Sequence, residues 1–447
     1  MQNPQPKSIG VFGHVGNLNL GDEALIAAVV QNIKQRYPDA QIYGFTLNPE
    51  DTQARHKIPA FAIRRTHKAV QPDKSTTYAQ IDVPPAEVQA MYTEHIKVIC
   101  KTIPWLYTLA KWIYNSTSAF SNTFKELRFL IDCYKHLKNI DLLIVAGSQQ
   151  LIDFIGGTWG HPYTLFKWSI LAKVAQTKIA FASVGAGPIA SPLSKRLIQC
   201  ALTIASYHSY RDNSSQKLIE RLGVPGPNPI FPDLVYSLQM PKQKQRSVSS
   251  SLLVGINPVP FSNPVYWPGS SVQSYKNYVC KLADFAMWII KRGETVLFFP
   301  TQLNLDLPVI NDIRMAMKRH RDWEADCEQK IIDWPIASFD DLITALSAVD
   351  LVVASRFHGV VIPYTLNKPV IGIAYHKKTF DLMEQMGQVE YALDILSFDL
   401  DSLKKCFIDL SSRRSLIQEE LSHRISIQRD ALYTQYDQLF QLLSRVD

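Results

Sequence analysis

Short apolar runs that end in glycine- or asparagine-containing turns alternate with helical stretches along most of this 447-residue chain. Such runs cannot show one face to water, so they belong in a parallel sheet covered on both sides by its own crossover helices. The first half opens with a strand at Ile9–Gly13, a turn, a helix predicted over Ala24–Tyr37 and a strand at Ala40–Phe45. That order is a βαβ unit with a right-handed crossover. Further strands are predicted at Ile140–Ala146, Lys178–Val184 and Ser206–Tyr210, with helices at Thr164–Ala175, Ser194–Tyr207 and Ser214–Leu222.

Between residues 239 and 251 the apolar pattern gives way to Lys, Gln and Ser, the composition of a linker. The alternation then restarts. Strands are predicted at Leu252–Asn257, Thr295–Pro300, Lys330–Asp333, Leu351–Ala354 and Val370–Ala374, and helices at Tyr275–Lys291, Val309–Arg319, Asp340–Ser347 and Gly359–Leu366. The expected architecture is α/β, with two doubly wound Rossmann-like domains at 1–240 and 250–390. Helices at 391–447 pack back on them.

The formal charge of +7 is spread along the chain, which favours a local basic cleft over a nucleic-acid surface. Cys100, Cys133, Cys200, Cys280, Cys327 and Cys406 lie far apart, a spacing that suits reduced thiols and forms neither a disulfide framework nor a zinc signature. No metal is expected. The apolar run at the N-terminus is too short for a signal peptide and no stretch is long enough to span a bilayer, so a cytoplasmic protein is expected.

Residues 88–137 depart from the alternation. Trp105, Tyr107, Trp112, Tyr114, Phe120, Phe124 and Phe129 are interleaved with Lys97, Lys101, Lys111, Lys125, Arg128 and Lys135. An ordinary pair of domain helices is the favoured reading. The second reading is peripheral contact with the inner membrane surface, where aromatic and basic side chains meet anionic headgroups.

The chemistry-bearing residues gather at strand ends, where open α/β sheets bind their ligands. The first turn carries Gly16, Asn17, Gly21 and Asp22 ahead of a helix, whose unpaired N–H groups favour an anion. It matches neither a dinucleotide nor a P-loop pattern. Gly185 follows the strand at Lys178–Val184, and Arg211 follows Ser206–Tyr210. Ser355-Arg356-Phe357-His358-Gly359 and Tyr375-His376-Lys377-Lys378 close two further strands. In an extended segment Arg356 and His358 point to one side. The expectation is therefore one rim bearing the Arg356 guanidinium, the His358 imidazole and the Lys378 ammonium, able to hold an anion and move a proton.

Gly16-Asn17, Gly21-Asp22-Glu23-Ala24, Ser183 to Pro188, Tyr210-Arg211-Asp212, Ser355 to Gly359 and Tyr375 to Lys378 together resemble the polysaccharide pyruvyl transferase family, over about residues 9 to 390. The resemblance implies a GT-B-like fold with the cleft between two facing domains. It also implies transfer from phosphoenolpyruvate, as co-substrate and without a cofactor, to hydroxyls of a glycan or lipid-linked sugar, forming a pyruvate ketal. Arg356, His358 and Lys378 then form the catalytic set and Arg211 binds substrate, with Asn17, Gly16, Asp22, Gly185, Ser355 and Gly359 around them. His358 is either the acid for the methylene carbon or the base for a sugar hydroxyl. The loop Gly147-Ser148-Gln149-Gln150 departs from the family's glycine-rich pattern. Two alternatives stand beside this reading: a GT-B glycosyltransferase using a nucleotide sugar, and a catalytically silent carbohydrate-binding paralogue.

Overall fold

A computed structural model describes residues 7–14, 16, 18–65, 125–240, 251–267 and 270–444. Most of the aromatic and basic segment, Asn17 and most of the expected linker lie outside the described residues.

The described strands form two parallel six-stranded sheets. The first contains β1 Ser8–Phe12, β2 Gln41–Thr46, β3 Ala60–Ala62, β4 Leu142–Ala146, β5 Lys178–Val184 and β6 Tyr207–Tyr210, in the order β3-β2-β1-β4-β5-β6. The second contains β7 Leu253–Asn257, β8 Thr295–Phe298, β9 Ile331–Ile332, β10 Leu351–Ala354, β11 Val370–Ala374 and β12 Ala392–Asp394, in the order β12-β11-β10-β7-β8-β9. Numbered from its own first strand, the second sheet has the same order as the first, that of a dinucleotide-binding half-and-half sheet. Strands β4, β7, β10 and β11 are buried along their whole length, so they can be apolar throughout.

Strand order reverses between β1 and β4 in one sheet and between β7 and β10 in the other. Crevices open at such points, beyond the carboxyl ends of the strands. The turn after β1, the loop after β4, Asn257 at the end of β7 and Ser355 after β10 therefore all border the place where a ligand belongs.

Helix starts moved where capping was stronger than apolar periodicity. The first helix spans Leu20–Arg36, because the Asn19 side chain caps the Gly21 N–H and draws Gly21, Asp22 and Glu23 into its first turn. The helix predicted from Val309 begins at Leu303 and accommodates Pro308. There the Asp306 carboxylate accepts from the backbone N–H groups of Thr301 at 2.9 Å and Gln302 at 2.8 Å, tying down the first turn. The short helix Pro49–His56 and strands β3 and β12 were not anticipated; each of the two strands has three residues, too few for a period to show.

One buried apolar cluster runs from Leu25 and Val29 in the first domain, through Leu234, Val235 and Tyr236, to Ile256, Val360 and Ile362 in the second. It continues into Leu432 and Tyr436 of the last helix. That helix, Arg414–Ser444, has 31 residues and is therefore about 46 Å long at 1.5 Å per residue. It starts on the second domain, where Arg414 meets Asp350 at 2.9 Å. It ends on the first, where Gln435 donates to the Ser209 hydroxyl at 2.7 Å and accepts from Ser183 at 3.1 Å. Among the described residues, no helix is long and apolar enough to cross a membrane.

Candidate active site

The two crevices face each other and are stitched together by backbone. Leu20 N–H donates to the Thr301 carbonyl at 2.7 Å, and Leu303 N–H donates to Leu18 at 3.0 Å. These bonds join the turn after β1 to the turn after β8. His358 is thereby laid on Gly21: a β-carbon at that glycine would overlap Nδ1 and Cγ of the imidazole. Nδ1 is turned to the first helix, and Nε2 is turned to Asp233.

His358 occupies the first turn of the helix Phe357–Thr365, two residues earlier than predicted, with Arg356 as its N-cap in extended conformation. The helix separates the two side chains. His358 Nε2 approaches Asp233 Oδ2 to 3.8 Å, too far for a hydrogen bond, and is buried without a hydrogen-bonding partner among the described residues. Arg356 instead donates through Nε at 2.9 Å and Nη2 at 2.6 Å to one oxygen of Asp306, which is fully buried. The expected single rim of three cations is corrected here: once residue 357 turns helical, positions two apart no longer share a side.

The group that does assemble consists of Arg211, His358 and Lys378, from both domains. Arg211 Nη1 lies 3.1 Å from Asp233 Oδ2, and its guanidinium stacks 4.4 Å from the centre of the Phe357 ring. Gly185 makes this placement feasible, since a β-carbon there would stand 3.1 Å from Arg211 Nη2. Lys378 crosses from the helix Lys377–Gln385 to donate to the Ala186 carbonyl at 3.0 Å, with Asp212 at 4.0 Å. Arg211 Nε has Asp212 at the same 4.0 Å and makes no hydrogen bond among the described residues.

Burial dominates the electrostatics. It lowers the His358 pKa to about 4, with Asp233 opposing the shift and Arg211 adding to it. It lowers Lys378 to about 8, again helped by Arg211 and opposed by Asp212. It raises Asp22 to about 6, against a hydrogen bond from Ser148 and the pull of Arg211, while Glu23 and Asp233 push the same way as burial. At neutral pH His358 is therefore an uncharged imidazole.

The remaining sequence-derived residues hold the frame. Ser355 hydrogen-bonds the Tyr278 hydroxyl at 2.7 Å. Gly359 leaves room for the Asn257 side chain, whose amide oxygen takes the Arg356 N–H at 3.3 Å. Gly16 has φ +92° and donates to Glu23 Oε1 at 3.3 Å, while the other Glu23 oxygen meets His56 at 2.6 Å. Glu23 thus pins the turn.

Asp233 and Asp306 were missed. Each is a lone acid in an otherwise ordinary stretch, and its partner is far away in sequence. Pro232-Asp233 closing a short apolar run was the one local signal.

Two doubly wound domains meeting at their switch points define the GT-B class of fold. Over 99% of this chain and 97% of the other, the structure superposes on a UDP-N-acetylglucosamine 2-epimerase with a TM-score of 0.54 at 13% identity. A glycosyltransferase from Rickettsia africae ESF-5 gives 0.52 at 10% identity, covering 99% of this chain and all of that one. At these identities the likeness concerns the fold alone.

The sequence model of the polysaccharide pyruvyl transferase family matches residues 19–377, and the chain belongs to that family of polysaccharide-modifying enzymes. It is also similar to the amylovoran biosynthesis protein AmsJ of Erwinia amylovora, at 23% identity over 297 residues, which is 62% of this chain and 68% of AmsJ.

Proposed function

We propose that this chain transfers a pyruvyl group from phosphoenolpyruvate to hydroxyls of a sugar in a cell-surface glycan or its precursor, forming a pyruvate ketal and releasing phosphate. The observation that carries this reading is the convergence of Arg211, His358 and Lys378 on one interdomain position, reached from β6, β10 and β11. Phosphoenolpyruvate brings close to three negative charges at neutral pH, about two from phosphate and one from carboxylate. Arg211 offers a planar fork with an unused Nε for the carboxylate or phosphate, and Lys378 offers a point charge for the departing phosphate. His358 takes the proton of the attacking sugar hydroxyl through Nε2, as a neutral imidazole can. Arg356 supports the site from outside it, through Asp306 and the N-terminus of the His358 helix.

Arg211, Asp212, Asp233, Phe357 and Lys378 surround a cavity of about 20 Å³. That is the room of roughly one water molecule. Donor binding must therefore part the domains or displace Asp212 and Asp233 from their cations, the closure then excluding water from the reaction. The first domain takes the acceptor, which is a glycan or a lipid-linked sugar, and AmsJ, named for amylovoran biosynthesis, favours an exopolysaccharide setting.

The test is thermal stabilisation of the purified chain by phosphoenolpyruvate, followed by phosphate release on adding candidate acceptors. Stabilisation by UDP- or GDP-sugars and none by phosphoenolpyruvate overturns the reading in favour of glycosyl transfer.

A further inference from the structure

A base at His358 leaves a question of chemistry: adding a sugar oxygen to C2 of an enolpyruvyl group also requires a proton on C3. The group that supplies it must reach the same interdomain space as the imidazole. Asp22 is placed for this. It follows Gly21, the residue on which the imidazole rests, in the first turn of the helix Leu20–Arg36. Asn19 Nδ2 donates to its Oδ2 at 2.9 Å, and Ser148, from the loop after β4, hydrogen-bonds it as well. The charged groups that act on it all belong to the first domain: Glu23 on its own helix, Arg211 after β6, and Asp233 from the segment beside His358, while from the second domain the imidazole of His358 rests on the neighbouring Gly21.

We propose that Asp22 is the proton donor to the methylene carbon and that Asp22 and His358 exchange roles between the two halves of ketal formation. This rests on the phosphoenolpyruvate reading. In the first half, His358 Nε2 removes the proton of one sugar hydroxyl as its oxygen bonds to C2, and the Asp22 carboxyl gives its proton to C3, converting CH2 to CH3. The tetrahedral product still carries phosphate on C2. In the second half, a second hydroxyl oxygen bonds to C2 as the C2–O bond to phosphate breaks. Asp22, now a carboxylate, accepts that hydroxyl's proton, and the imidazolium of His358 protonates the departing phosphate. Both residues end as they began, and the sum is two hydroxyls and one enolpyruvyl phosphate giving one ketal and one phosphate.

Burial already keeps the Asp22 carboxyl protonated to a higher pH than an exposed aspartate. A donor with about three negative charges arriving beside it stabilises the protonated form further. A carboxylate held only for hydrogen bonds to sugar would need the opposite environment.

Wild-type enzyme is assayed first, for phosphate release that depends on both phosphoenolpyruvate and acceptor. If there is none, the underlying reading fails and takes this inference with it. Given release, Asp22→Asn is expected to lower kcat by about 10²- to 10⁴-fold, with thermal stabilisation by phosphoenolpyruvate retained. The wild-type kcat/KM profile should fall with unit slope above about pH 6, where the carboxyl ionises. Asp22→Asn should lose that limb and Asp22→Glu should keep a displaced one. An Asn variant with kcat near wild type overturns the assignment, as does one that loses donor binding together with turnover. Should the Asn variant not fold, a wild-type profile with no fall above neutral pH overturns it alone.

Discussion

The imidazole of His358 rests on the α-carbon of Gly21, so the orientation of a side chain of the second domain is set by a residue of the first. Gly21 is helical, and alanine is the better helix former by about 1 kcal/mol. Gly21→Ala should therefore leave the thermal midpoint close to wild type while displacing the ring. A loss of about 100-fold in kcat is expected, the scale of a misplacement near 1 Å. Steady-state kinetics beside a thermal melt checks this, and unchanged kcat would show that the contact does not position the base.

Arg356 should behave as a structural partner more than as a ligand. Its replacement by alanine leaves Asp306 buried and uncompensated except for two backbone N–H groups. Breaking such a pair costs about 3–5 kcal/mol. Urea unfolding should show that loss for Arg356→Ala. The double variant Arg356→Met, Asp306→Leu should lose less than the sum of the single changes, because no buried charge remains.

The stability of the chain should fall in acid through its histidines. His358 and His161 have folded pKa values of about 4 and about 3, and His14 is also held well below its ordinary value, all mainly by burial. Unfolded histidines titrate near 6.5. Between about pH 6.5 and 4 the unfolded chain thus binds more protons, and folding stability decreases as pH falls. Asp22 acts with the opposite sign: its folded pKa of about 6 lies above the unfolded value, so its contribution is present in acid and lost as pH rises through 6. Asp22→Asn should remove that offset and steepen the acid loss, measured as urea midpoints across this window.

Gln435 links the last helix to the first sheet by satisfying both Ser183 and Ser209 in a fully buried setting. Gln435→Ala strands both hydroxyls from this partner, at a cost of about 1–3 kcal/mol. Chemical denaturation should report it, whereas Gln438→Ala, on a more exposed face of the same helix, should be close to neutral.

Much of the site was legible because loops after parallel strands must border the crevice whatever else happens. Arg211, His358 and Lys378 were marked by position alone. Arg356 was marked by the same logic and then diverted. Its neighbour turned helical one residue later, and a buried carboxylate 50 positions away captured the guanidinium. No local pattern carries such a pairing.

The sequence by itself determined the parallel α/β architecture in two units, since continuous apolar strands between helical stretches need covering on both faces and the alternation breaks off at 239–251 and restarts, and it marked the strand ends that carry chemistry. Only the tertiary structure decided how those ends are used. Packing Gly21 against His358, Asp233 between His358 and Arg211, and Lys378 onto Ala186 removes water from one small space. That burial, a property of no residue alone, lowers the pKa of His358 and raises that of Asp22.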